Sequence, residues 1–286
     1  MTNLPELFDL SGRVAVVTGG AGLLGVEFCK TLAQAGARVV IVDIDGEAAL
    51  AQAASLNRIW PAPAGTTQNS SNRAIGVHSD VTSSISVQEL VKRTLAEFGR
   101  LDILVNSAAI DPKFDPAHEV NSKAVSSFED FPLAVWQLAL DVNLTGMFLV
   151  CQAVVQPMLA QGKGTIINIC SIYGLVGPDQ RIYQKPGQEP QSKPVYYSVT
   201  KAGVLGLTRY LATYYAGKNL RVNALTPGGV FNDHDQAFAQ AYSARTVLGR
   251  MAEKNEMNGA LLFLASDASA YMTGGNLIVD GGWTAW

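Results

Sequence analysis

The stretch RVAVVTGGAGLLGVEFCKTLAQAGARVVIVD, residues 13–43, decides the fold. It opens on the β-branched run 13–18 and closes on a second one, RVVIVD, at 38–43. Between them, residues 23–35 read as a helix that Gly36 can end, because glycine takes the left-handed C-cap conformation without strain. Two short apolar strands joined through a helix imply parallel pairing, and parallel strands need both faces covered.

The same alternation continues outward. A helix is expected over 46–56 and a strand in IGVHSD, ending at Asp80. A helix capped by Ser83 or Ser84 then runs to Gly99. LDILVN ends a fourth strand at Asn106, a long helix covers about 132–160, and TIINIC (165–170) is a fifth strand. A helix at 196–216, the strand LRVNAL (220–225), a helix at about 254–266 and the strand NLIVDG (276–281) complete the pattern. This predicts an α/β fold: a doubly wound, seven-stranded parallel sheet with helices on both faces, Rossmann-like, in one domain over 1–286. Ligands of such sheets bind at the carboxyl ends of the strands. Three segments read as loops. Those at 110–130 and 177–194 leave the carboxyl ends of strands four and five, and 57–73 precedes a strand and so lies at the opposite edge.

Composition narrows the function classes. With 48% hydrophobic residues the chain can bury a large core, and a net charge of -3 gives no basic field for nucleic acid or acidic lipid. Cys29, Cys151 and Cys170 lie in apolar segments with no metal-ligand spacing, so buried free thiols are expected. His78, His118 and His234 are scattered, and no metal site is expected. MTNLPELFDLSGR has neither the basic nor the apolar region of a secretory leader, and no apolar run of about 18 residues is seen, so a cytoplasmic location with no membrane partner is expected.

The glycine-rich turn TGGAGLLG leads from the first strand into a helix. Gly19, Gly22 and Gly25 allow a tight turn in which backbone N–H groups and the helix N-terminus face a pyrophosphate. Asp43, 24 residues beyond Gly19, stands near the distance expected for an acid on the adenosine ribose hydroxyls. A carboxylate there repels a 2′-phosphate, and Ile44 brings no compensating charge. The expected cofactor is therefore NAD rather than NADP.

Further along, Tyr197 and Lys201 are four apart on a helix and share one face. Ketone reduction needs a proton donor on oxygen and alcohol oxidation needs a base. A phenol near pKa 10 suits neither at neutral pH unless a neighbouring cation favours its anion. Tyr196 has Thr200 at the same spacing, which carries no charge.

Over nearly its whole length the chain resembles the short-chain dehydrogenase/reductases. The matches occur in order: TGGAGLLG, Asp80-Val81, NSAA (106–109), DVNLTG (141–146), INICS (167–171), YYSVTK (196–201), TPGGV (226–230) and VDGG (279–282). The resemblance implies that Tyr197 is the general acid/base and that Lys201 holds the nicotinamide ribose. It makes Ser171 a hydrogen-bond partner of the reacting oxygen, and Asn143 the holder of a water linking Lys201 to solvent. It also implies contacts to the cofactor from Leu23 and Leu24, from Asp80 and Val81 at the adenine, from Asn106 and Ala108 along the trough, and from the backbone near Pro227, Gly228 and Val230 at the carboxamide. Family members are usually tetramers, so a homotetramer is expected, with Trp283 and Trp286 at an interface or in the substrate pocket.

The chain departs from the family in three places. Its loop reads TG-x-x-G-x-x-G, with Leu23 where a glycine is common. Asn232 replaces a frequent threonine. Ser171 and Tyr197 lie 26 residues apart, about twice the usual separation, and the excess is the insertion 177–194 with Arg181, Lys185 and Lys193. Its cations suggest a polar or phosphorylated small-molecule substrate. GLVGPDQR, PGGVFN and DGGWTAW are similar to oxidoreductases of surface-sugar or flagellin modification, which suggests a sugar-derived alcohol or ketone. Two other readings stay open: an oxoacyl-thioester reductase, and a non-catalytic NAD-binding protein on the same fold.

Overall fold

A computed structural model describes residues 3–61, 72–111, 127–184 and 191–286. Seven strands form one parallel sheet in the order β3-β2-β1-β4-β5-β6-β7. They are β1 (Val14–Thr18), β2 (Arg38–Asp43), β3 (Ala74–His78), β4 (Ile103–Asn106), β5 (Gly164–Ile169), β6 (Leu220–Pro227) and β7 (Asn276–Val279). The order in which strands are added reverses at the β1–β4 boundary, with every strand still parallel. Register is held by pairings such as Val16 with Val40 on one side and Val16 with Leu104 on the other.

Side chains alternate between the two faces of a strand, so each strand feeds two cores. Val16, Val40, Leu104, Ile166 and Val222 pack beneath one layer of helices. That layer comprises α4 (Ser84–Phe98), α6 (Met147–Gln161) and α7 (Val195–Tyr214). Val17, Ile41, Val105, Ile167 and Leu225 pack beneath the other. It comprises α2 (Leu23–Gln34), α3 (Gly46–Ile59) and α9 (Asn258–Ala265). Burial on both faces explains why the strands read as continuous apolar runs. The other α-helices among the described residues are α1 (Leu4–Leu7), α5 (Leu133–Leu140) and α8 (Gln236–Ser243).

Several expected boundaries move. The helix expected to end near 56 continues to Ile59, and Asn57 bonds both the N–H and the carbonyl of Ala74, tying α3 to the start of β3. The helix expected from 254 starts at Asn258, because Glu256 folds back onto the Glu253 N–H and holds a turn there. Ser83 caps α4 and Gly99 ends it at a φ of 73°.

The long helix is not uniform. Between α5 and α6, Asp141–Gly146 winds as a π-helix, a local widening that is common at functional sites. The helical run Leu133–Gln161 has an 18-residue window of mean hydropathy 1.7, long and apolar enough by composition to cross a membrane. The run is not continuously apolar, since Gln137, Asp141, Asn143, Gln152 and Gln156 interrupt it. Its apolar residues have another partner: Val150, Cys151, Val154 and Met158 are buried against the sheet. The three cysteines are free and buried, as expected.

Of the expected loops, residues 62–71, 112–126 and 185–190, including Lys185, lie outside the described residues. The described part of the insertion is not a plain loop. Gln180–Tyr183 form a 3-10 turn capped by Asp179, and Ile182 is buried.

Candidate active site

The carboxyl ends of β1, β4, β5 and β6 gather the expected residues. Gly19 follows β1 with φ of 62°, and a Cβ there would stand 2.8 Å from the Ala108 Cα. A Cβ on Gly25 would meet the Gly19 carbonyl oxygen at 2.0 Å, so this turn closes only without a side chain at that position. Gly22 sits at the N-cap of α2 and Leu23 is its first residue; no side chain caps this end. The early glycine thus leaves the helix N-terminus without a side-chain cap, and the first N–H groups of a helix, which have no partner within it, suit a pyrophosphate. Leu24 packs against the core behind.

Asp43 ends β2 beside this turn. Its Oδ2 accepts a hydrogen bond from the Ala21 N–H at 3.0 Å, tying the carboxylate to the loop. The open helix end and the glycine cradle fit a dinucleotide. Thr18 Oγ1 accepts from the N–H groups of Ser107 (3.1 Å) and Ala108 (3.3 Å), which draws the end of β4 against the loop.

Several residues expected at the cofactor engage their side chains within the protein. Asn106 turns into the core, donating to Asn168 Oδ1 at 2.9 Å, because β4 and β5 are packed flank to flank there. Asp80 Oδ1 accepts from the backbone and hydroxyl of Thr82, at 2.9 and 2.7 Å. The Val81 side chain is buried close to Gly146, where a Cβ would meet it at 2.8 Å. Pro227 ends β6, the Gly228 N–H donates to the Val279 carbonyl at 2.9 Å, and Val230 bridges to Ala252. The Asn232 N–H donates to His234 Nδ1 at 3.1 Å.

Ser171, Tyr197, Lys201 and Asn143 come together at the end of β5 and the first turns of α7. The Ser171 hydroxyl accepts from the Tyr173 N–H at 3.3 Å and stands near enough to the Tyr197 phenol to favour its anion. Lys201 is buried, donates to the Ile169 carbonyl at 2.9 Å, and places Nζ 5.7 Å from the Tyr197 ring centroid. Asn143 lies in the π-helix. Its Oδ1 accepts from the Ile110 N–H at 2.6 Å and its Nδ2 donates to Thr200 Oγ1 at 3.4 Å. This amide therefore fastens the strand-four loop to α7. Tyr196, the rival phenol, is fully buried and meets Phe131 edge-on at 6.0 Å.

The electrostatics differ from the expectation in one respect. Burial raises the Tyr197 pKa, the Asp111 carboxylate raises it further, and the Ser171 hydroxyl only partly opposes this. Lys201 is itself lowered by burial. A phenol held this way is a proton donor at neutral pH.

A family model described as enoyl-(acyl carrier protein) reductase matches residues 21–284. The chain is 36% identical over 282 residues to a cis-4-hydroxycyclohexanecarboxylate dehydrogenase of Sinomonas cyclohexanicum, covering 96% of this chain and 97% of that protein. It is also 36% identical over 294 residues to a D-threitol dehydrogenase of Mycolicibacterium smegmatis, covering 99% of each. The chain belongs to the short-chain dehydrogenase/reductase family. Its sheet superposes on a gluconate 5-dehydrogenase from Burkholderia cenocepacia J2315, solved with NADP and tartrate, with a TM-score of 0.83 and 30% identity, covering 99% of this chain and 100% of that one. This short-chain dehydrogenase/reductase is thus an oxidoreductase acting on hydroxyl groups with a nicotinamide cofactor.

Beside the cleft of this short-chain dehydrogenase/reductase stands an aromatic wall that the sequence did not disclose. Tyr173 meets Tyr197 edge-on at 6.5 Å and Trp283 at 6.3 Å, and Trp283 stacks on Tyr242 at 4.3 Å. Tyr183 of the insertion donates its hydroxyl to Tyr173 at 2.9 Å and packs on Phe238 of α8. Asp179 pairs with both Arg181 and Arg245. The insertion, α8 and the C-terminal segment therefore pack as one unit. Trp283 is buried inside it on the side of the cleft, while Trp286 is exposed. The signal for α8 was Asp235 as N-cap before Phe238 and Tyr242, which share a helix face.

Proposed function

We propose that this enzyme is an NAD-dependent dehydrogenase that interconverts a secondary alcohol and its ketone, on a polar small molecule of the sugar-derived kind. The carrying observation is the Tyr197 ring with the buried Lys201 ammonium 5.7 Å from its centroid and the buried Ser171 hydroxyl beside it.

In this reading the Gly19–Gly25 turn and the open end of α2 hold the pyrophosphate, and Asp43 takes the adenosine ribose hydroxyls and disfavours a 2′-phosphate. The backbone near Asp80, Val81, Asn106 and Ala108 lines the cofactor trough, and the turn at Pro227–Val230 meets the carboxamide. When bound, the oxidised cofactor supplies a hydride acceptor and a positive ring that favours the phenolate. Tyr197 then takes the alcohol proton, or returns it to the ketone oxygen in the reverse direction. Ser171 bonds the same oxygen as its charge develops. Lys201 orients the cofactor ribose and stabilises the Tyr197 anion. Asn143 fixes the wall formed by Ile110 and Thr200, beside a water route from Lys201.

D-threitol and gluconate, named for two relatives, are polyhydroxylated, which supports a polar substrate. The solved gluconate enzyme carries NADP, so the preference for NAD rests on Asp43. An oxoacyl-thioester reductase is the second reading, favoured by the description of the matching family model. We place the enzyme in the cytoplasm as a homotetramer with one domain per chain.

A substrate panel tests the proposal. Secondary alcohols and sugar derivatives, against oxoacyl thioesters, are each assayed with NAD and NADP. Turnover of polar alcohols with NAD supports it. Turnover confined to thioesters with NADPH replaces it with the second reading.

A further inference from the structure

Lys193 lies in the insertion, yet its side chain is aimed at the reaction site. Its N–H donates to Gln180 Oε1 at 2.8 Å, and its carbonyl accepts from Gln180 Nε2 at 3.2 Å. This two-point clamp fixes the backbone at the foot of α7. The ammonium lies 4.1 Å from the Tyr197 ring centroid, nearer than Lys201, and pairs with Asp111 Oδ2 at 2.8 Å. Both side chains are largely buried, at 13% and 21% exposure, so this is not a solvent-screened surface pair. Asp111 follows Ile110, whose backbone Asn143 holds, so both partners are set by rigid neighbours.

We infer that Lys193 and Asp111 form a specificity-determining pair that recognises a hydroxyl next to the reacting carbinol, selecting an uncharged vicinal diol or polyol. The inference rests on the dehydrogenase reading. The Lys193 ammonium over the Tyr197 ring puts the pair beside the residue proposed to meet the reacting oxygen, where a group on the adjacent carbon would be recognised. Lysine has three donors and aspartate is an acceptor, so the pair offers both halves of what a hydroxyl needs. The pair is also electrically neutral. A substrate carboxylate or phosphate would gain Lys193 but face Asp111, and an ammonium would meet the reverse. Arg181, which suggested an anionic substrate, is 81% exposed and paired with Asp179.

The test uses three alcohols that share a CH3–CH(OH)– end: 2-butanol, butane-2,3-diol and 3-hydroxybutanoate. Each is oxidised with NAD by the wild type and by Lys193→Met, Lys193→Arg and Asp111→Asn. The wild type should favour the diol over 2-butanol by at least about tenfold in kcat/KM, since a site built to bond a hydroxyl discriminates strongly against its absence. Lys193→Met should remove most of that ratio, and Lys193→Arg should restore part of it. Circular dichroism and the melting temperature confirm that each variant is folded. A wild-type enzyme that oxidises 2-butanol as well as the diol, or prefers 3-hydroxybutanoate, overturns the pair's role while leaving the dehydrogenase reading intact. Turnover of none of the three, with thioesters reduced instead, removes the dehydrogenase reading and this inference together. A Lys193→Met variant with an unchanged diol ratio also overturns it.

Discussion

The Asp111 carboxylate sits close enough to Tyr197 to hold the phenol in its neutral form, adding to the effect of burial. Alcohol oxidation needs the phenolate, and its fraction grows with pH. Ketone reduction needs the phenol. Oxidation kcat/KM is therefore expected to rise through and above neutral pH, and reduction to fall at the alkaline end. Asp111→Asn removes a charge that raises this pKa, so the oxidation profile should move to lower pH. Steady-state pH profiles in both directions check this; a shift to higher pH in the variant contradicts it.

Asp43 is the residue on which cofactor choice turns. It accepts the Ala21 N–H, and Ile44 beside it is exposed. The double substitution Asp43→Ser with Ile44→Arg should lower the NAD-to-NADP ratio of kcat/KM by about tenfold or more, since it replaces repulsion of a 2′-phosphate by attraction. The ratio is read from initial rates with each cofactor. An unchanged ratio places the discrimination elsewhere.

Phe148 on α6 and Tyr210 on α7 are 45% and 61% exposed, and they line one apolar groove with Leu144 and Leu207. Exposed apolar surface of this kind marks association. Light scattering should give a tetramer for the wild type, and Phe148→Glu with Tyr210→Glu should yield smaller species. A wild-type monomer contradicts this.

Asn143 joins Ile110 to Thr200 across the site. Asn143→Ala leaves the Ile110 N–H without its buried acceptor, at a cost of about 1–3 kcal/mol. We expect a lower melting temperature and a kcat loss larger than any change in the NAD dissociation constant. Thermal melts, kinetics and calorimetry separate the three quantities.

The sheet was readable because its strands are buried on both faces and stand as short apolar runs between capped helices. Ser83 and Gly99 show this well, since both caps lie where the sequence puts them. The gathering of Tyr197, Lys201, Ser171 and Asn143 was readable because Tyr197 and Lys201 are close in sequence and recur with Ser171 and Asn143 in family order. What escaped depends on distant partners. Lys193 and Asp111 are 82 residues apart, and nothing local to either indicates that they meet over Tyr197. The aromatic wall needs Tyr173, Tyr242 and Trp283 from three segments. The π-helix at Asp141–Gly146 keeps a helical composition and changes only its hydrogen-bond register, which composition does not encode.

The central claim is that Tyr197 moves the proton while NAD takes the hydride. The direct measurement is Tyr197→Phe, with NAD binding followed by calorimetry and alcohol oxidation followed by the absorbance of reduced nicotinamide. The account predicts an NAD dissociation constant within about twofold of the wild type and a kcat lower by about 10²- to 10⁴-fold, the range for losing a general acid/base. A variant that binds NAD normally and turns over at the wild-type rate would contradict it.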